Sequence, residues 1–180
     1  WTTDRFGREN MALELRESKL NYLQVPPDVY FTNELTITLW TKLFNYTTRG
    51  RLIDFGNGPD KENLILSYYE INFNTPYGVV VNDEFKYKCF IARNFSKLTL
   101  NVWYHLSLSL SASEKRAKLY INGQLMINRP YNCTINQVIR NSNLIGKSNW
   151  QDNHTNADID DLKIYDRVLS QEEIWKEINR

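Results

Sequence analysis

The sequence predicts an all-β domain, an antiparallel sandwich or barrel, and three features carry that expectation. Leu35, Ile37, Leu39, Thr41 and Leu43 alternate with Thr36, Thr38, Trp40 and Lys42, the two-residue period of a strand with one face inward. Leu106, Leu108 and Leu110 repeat the pattern with Ser107 and Ser109 between them. Asn122-Gly123 separates the apolar runs Ala117 to Ile121 and Gln124 to Ile127, and both turn residues tolerate the positive φ that a tight hairpin needs.

The remaining strands are short and bounded by Gly, Pro, Asn and Asp: Met11 to Leu15, Tyr22 to Val25, Arg51 to Phe55, Leu64 to Tyr69, Gly78 to Val81, Lys86 to Ala92, Asn143 to Ile145 and Ile159 to Tyr165. About a dozen strands result, with no alternating helical pattern between them to build a parallel sheet. One helix is signalled near the C-terminus, where Ser170 and Glu173 form a capping box ahead of Ile174, Trp175 and Ile178. With 180 residues and no linker or internal repeat, residues 1–180 read as a single domain.

Composition narrows the function. Lys+Arg 22 against Asp+Glu 21 leaves a net charge of +1, so no bulk field favours nucleic acid or an anionic membrane. No apolar run is long enough to span a bilayer, which sets aside direct membrane insertion. Four N-x-[ST] sequons, at Asn45, Asn94, Asn132 and Asn153, favour a secreted protein or the extracellular part of a membrane protein. Cys89 and Cys133 are the only two cysteines, and an even count in such a chain points to one disulfide. Closing that loop of about 45 residues stabilises by roughly 4 kcal/mol in the chain-entropy description.

Three segments, in order, resemble the laminin G-like, or concanavalin A-like lectin/glucanase, jelly-roll family: LTITLWTKL followed by RLIDFGN; WYHLSLSL with AKLYINGQL; and LIGKSN with ADIDDLKIYDRVLSQEEI. DRFGRENMALEL is similar to the family's opening strand, so the resemblance runs along essentially the whole chain. It implies two antiparallel sheets of six or seven strands, one curved, and a short closing helix, in a module of a larger extracellular protein. The cysteine pair is not part of the family pattern.

Alternation places Asp160 on the face of Leu162 and Ile164, where an inward carboxylate needs partners. Backbone donors from the N-terminal segment are one solution, and a structural Ca²⁺ held by Asp160 and Asp158 is another, since relatives bind calcium near a sheet rim. No D-x-[DN]-x-[DN]-G loop accompanies them. Glycoside hydrolases of this fold carry paired carboxylates as E-x-D-x-x-E, because cleavage requires an acid and a nucleophile or base at fixed separation. That spacing is absent, as are a G-x-S-x-G elbow and phosphate-cradling glycine motifs. His105 reads as a satisfied strand histidine and His154 as part of a sequon loop.

The expectation is therefore a non-enzymatic recognition or adhesion module that binds a glycan or an extracellular protein. Tyr68, Tyr69, Phe73, Tyr77, Tyr87 and Trp150 are aromatics at loop or outward strand positions. Of these, Trp150 and Tyr69, with Asn149, are the candidate ligand residues, because an aromatic platform beside polar amides suits a sugar ring. A structural or self-associating adhesion domain is the alternative reading, and a glycosidase the third.

Overall fold

The computed structural model describes residues 1–69, 75–82, 87–92 and 96–180. Strands β1 (Leu13–Leu15), β2 (Leu23–Val25), β3 (Glu34–Leu43), β4 (Arg51–Gly56), β5 (Leu64–Ser67), β6 (Tyr77–Asn82), β7 (Tyr87–Ile91), β8 (Trp103–Ser111), β9 (Arg116–Ile121), β10 (Gln124–Pro130), β11 (Ser142–Ile145) and β12 (Ala157–Tyr165) precede helix α1 (Gln171–Ile178). They form two antiparallel six-stranded sheets, a first in the order β1-β12-β3-β8-β9-β10 and a second in the order β2-β11-β4-β5-β6-β7. The all-β sandwich read from the sequence is the fold observed. Among the described residues no helix is long and apolar enough to cross a membrane.

Alternation sets the register. Leu35, Ile37 and Leu39 of β3 stand opposite Leu110, Leu108 and Leu106 of β8, and all six are fully buried. Against them the second sheet sets Ile53, Phe55, Leu64, Leu66 and Val80. The sheets approach closely at Gly78, where an added Cβ would lie 2.8 Å from the Leu108 side chain, so the position has room only for hydrogen. The β9–β10 hairpin turns at Asn122 and Gly123, both in the left-handed region at φ 48° and 75°.

The outer face of the first sheet is also covered. Thr36 Oγ1 donates to Arg167 O and accepts from Leu169 N, strapping the segment before α1 across the strands. Ser170 and Glu173 form the expected capping box, and Ile174 packs with Tyr120 and Leu169. Ser107, Ser109 and His105 are consequently buried although they face away from the core.

Two findings concern the flanks of the sandwich. Cys89 of β7 and Cys133, just beyond β10, form a disulfide with Cα atoms 6.2 Å apart, joining the edge strands of the two sheets on one side of the sandwich. In β12 the simple alternation fails: Asp160 pairs with Trp40 and Lys163 with Thr38, so three steps on β12 oppose two on β3. Asp161, at φ 47°, is the residue that takes up the extra step. Ile159 and Ile164 therefore both face the core, and Asp160 faces outward beside Trp40, not with Leu162 and Ile164.

Candidate functional site

The outer face of the second sheet combines an apolar strip with a charged cluster. Ile65, Tyr77, Val79 and Val81 point away from the main core yet are almost wholly buried, with Trp150 and Ala92 packed on them. The loop after β11 carries Trp150 there. Gly146, at φ 84°, ends the strand, and the loop is then tied to Asp54 of β4. Asn149 donates its backbone N–H to Asp54 Oδ2 at 2.9 Å and its amide to Asp54 Oδ1 at 2.9 Å. Asn63 donates to the same carboxylate at 3.0 Å. Burial pushes the Asp54 carboxyl above its ordinary pKa, opposed by these donors and by the charge of Arg51.

Arg51 is buried beside it. Its Nη1 donates to Tyr77 Oη at 2.6 Å and its Nη2 to Asp152 Oδ2 at 3.3 Å. The guanidinium carbon lies 5.9 Å from the Trp150 ring centroid. Trp150 is fixed at both ends: its backbone N–H donates to Ser148 Oγ at 3.1 Å and its indole Nε1 to Asp60 Oδ2 at 3.3 Å. The exposed Arg49 guanidinium stands 3.7 Å from the other oxygen of Asp152. The result is a half-buried indole whose orientation is set, with a carboxylate and a guanidinium next to it.

Of the residues expected to touch a ligand, only Trp150 occupies such a position. Asn149 is committed to Asp54 and to Ser142 O, so its amide is a brace. Tyr69 belongs to the core edge at 8% exposure. It packs at 5.3 Å from Tyr46 under the Lys97 ammonium, and its carbonyl accepts from the backbone N–H of Arg49. Tyr68 and Tyr77 are buried, Tyr87 lies in β7, and Phe73 lies outside the described residues. Sequence reasoning passed over Arg51, Asp54, Asp60 and Asp152. The available signal was Asp54 itself, an acid in the apolar strand RLIDFG.

The acidic strand β12 does not fit a calcium site. Asp158 is fully buried, with Arg16 Nη1 2.9 Å from one oxygen and Lys42 Nζ 3.0 Å from the other. Arg5 Nη1 spans Asp160 at 3.0 Å and Asp161 at 2.7 Å. Burial and the adjacent Asp161 raise the Asp160 pKa, with Arg5 opposing them. Carboxylates already facing cations present no free oxygen cage to a hard divalent ion, and among the described residues no cluster of three or more metal-ligating side chains occurs.

His105 is buried against Trp40, ring centroids 5.4 Å apart, and its Nδ1 has no hydrogen-bond partner. Burial lowers its pKa to about 4. His154 stands edge-on to Tyr22 at 5.9 Å. Among the sequons, Asn132 and Asn153 are exposed, Asn45 is half-buried with its Oδ1 accepting from the Thr47 hydroxyl at 2.7 Å, and Asn94 lies outside the described residues.

A family profile described as the concanavalin A-like lectin/glucanases superfamily matches residues 17–175. No curated protein sequence is significantly similar to the chain. Among solved structures, domain 4 of an extracellular arabinanase from Geobacillus stearothermophilus, in complex with arabinotriose, aligns with TM-score 0.71 at 20% identity, over 98% of this chain and 86% of that one. The leech intramolecular trans-sialidase complexed with 2,7-anhydro-Neu5Ac aligns with TM-score 0.68 at 18% identity, over 93% of this chain but 28% of that one. The native heptameric SAP-like pentraxin of Limulus polyphemus aligns with TM-score 0.62 at 17% identity, over 84% of this chain and 70% of that one. At such identities the likeness is one of fold, and the chain spans only about a quarter of the trans-sialidase.

Proposed function

Because the chain belongs to the concanavalin A-like lectin/glucanase superfamily, we propose that it is an extracellular recognition module that binds glycan at the Trp150 face of its second sheet. The observation that carries this reading is the indole held by Ser148 and Asp60, with the Arg51 guanidinium 5.9 Å from its ring and Asp152 paired to that guanidinium. An oriented indole offers a flat apolar surface to the C–H face of a sugar, and the neighbouring ions bond its hydroxyls at the edge. An arabinanase domain of the same fold solved with arabinotriose gives the reading a precedent. The disulfide and the exposed sequon residues Asn132 and Asn153 are consistent with an oxidising, glycosylating compartment.

The module binds without catalysing. Asp54 is buried under its donors, and Asp158 and Asp160 face arginine and lysine, so these carboxylates are engaged in holding the fold. Recognition at the Trp150 face requires no calcium from the β12 acids.

Binding to a glycan array, followed by titration of the best oligosaccharide, tests the proposal. Trp150→Ala is expected to lower affinity by at least about tenfold, the loss of one stacked aromatic contact, while calcium chelation leaves it unchanged. Undiminished binding by Trp150→Ala overturns the assignment. A second reading, a self-associating adhesive domain, is favoured by the opposite edge, where exposed Trp1, Met11 and Leu23 border a shallow cleft between β1 and β2. Sedimentation showing a monomer throughout a concentration series removes it.

A further inference from the structure

The end of the sandwich beside the β9–β10 hairpin opens into a groove of about 340 Å³ that shares no described lining residue with the Trp150 cluster. Its floor is apolar, made by Leu98, Tyr104, Ile121 and Met126, side chains that reach the main core from its margin. Its rim carries Lys97 and Gln124, and no carboxylate lines it among the described residues. The Lys97 ammonium is positioned by two rings, 4.7 Å from the Tyr46 centroid and 5.2 Å from that of Tyr69. Tyr46 is itself tethered, its hydroxyl donating to Leu98 O at 2.8 Å. A cation held by cation–π contacts loses little freedom when it meets an anion, and the volume lies at the small end of the range for ligand sites.

We propose that this groove is a second ligand site that takes a carboxylate-bearing sugar, with the ring against Tyr104, Ile121 and Met126 and the carboxylate on Lys97. Charge selects the ligand: an acidic sugar supplies the anion that the described rim lacks, whereas a neutral sugar leaves the ammonium with its two rings alone. The Gln124 amide, at the rim, bonds a ring hydroxyl. The site is independent of the glycan reading of the Trp150 face.

The test is a titration of the isotope-labelled protein with methyl β-D-glucuronide and, separately, with the neutral methyl β-D-glucoside, read by residue-resolved NMR. The glucuronide is expected to shift resonances of Lys97, Tyr104 and Gln124 and to bind at least about tenfold more tightly than the glucoside, the worth of one charge-assisted contact. Lys97→Gln is expected to abolish that preference. Lys115→Gln, which removes the same charge from an exposed turn outside the groove, is expected to leave it intact. Equal affinity for the two sugars, no binding of the glucuronide, undiminished preference in Lys97→Gln, or shifts confined to the Trp150 face would each overturn the proposal.

Discussion

The two open sides of the sandwich are secured by different chemistry. On the β7/β10 side a covalent bond, Cys89–Cys133, joins one sheet to the other. On the β1/β2 side there is none: edge strand β1 is held to β12 by three residue pairs. Ions reinforce it there, Arg16 and Lys42 on Asp158 and Arg5 on Asp160 and Asp161. A disulfide acts largely by restricting the unfolded chain and is indifferent to acid or salt, whereas an ion pair exists only in the folded state and responds to both. The second side should therefore be the one that solution conditions can loosen.

Four measurements sharpen or break that contrast. The double substitution Cys89→Ala with Cys133→Ala should cost about 4 kcal/mol in chemical denaturation, independent of pH. A loss below about 1 kcal/mol would mean that the β7/β10 side holds without its bridge.

The second concerns pH. His105 lies on the outer face of the first sheet, near Arg5, with a folded pKa of about 4 against about 6.5 in the unfolded chain. Between those values the unfolded chain binds a proton that the folded protein refuses. Stability should fall as pH drops from about 6.5 to about 4, by roughly 3 kcal/mol in all, and flatten below. His105→Gln should remove that slope, and a slope that survives assigns the acid sensitivity elsewhere.

Third, Asp158→Asn should cost about 2 kcal/mol by leaving Arg16 and Lys42 without their anion, discounted because both cations keep partial contact with solvent. Thermal melts should show the loss equally with the disulfide intact or absent, since the sites are separate. Smallest, raising NaCl from about 0.1 M to about 1 M should lower the melting temperature slightly by screening pairs such as Arg5–Asp161, whose carboxylate is partly exposed, and Arg5→Gln should reduce the salt effect.

Much of this architecture was legible in the sequence, for physical reasons that differ by element. The alternation of Leu35 to Leu43, the Asn122-Gly123 turn and the Ser170/Glu173 box are local signals that the fold leaves intact. Asp160 was misplaced because a bulge shifts parity by one, and only the left-handed backbone of Asp161 reveals it. The site was less legible. Trp150 stood out as an aromatic in a polar run, but Asn149 and Asp54 are separated by 95 positions and their pairing is wholly tertiary. Tyr69 looked like a loop aromatic because nothing in its neighbourhood announces Tyr46 and Lys97 packing on it.

The meeting of the chain's two ends has a mechanical consequence. Arg5 Nη2 donates to Arg180 O at 3.1 Å, so the segment before β1 meets the residue that follows α1, and force carried by both enters the domain at one place. Within the first sheet it loads Leu13 opposite Ile159, then Glu14 opposite Asp158, then Leu15 opposite Ala157, one pair after another. That is unzipping rather than shear. On the C-terminal side the load is met first by the strap before α1, where Arg167 and Leu169 hold Thr36 of β3 and Ile174 packs on Tyr120 of β9, so the helix has to lift from the first sheet before β12 itself is pulled.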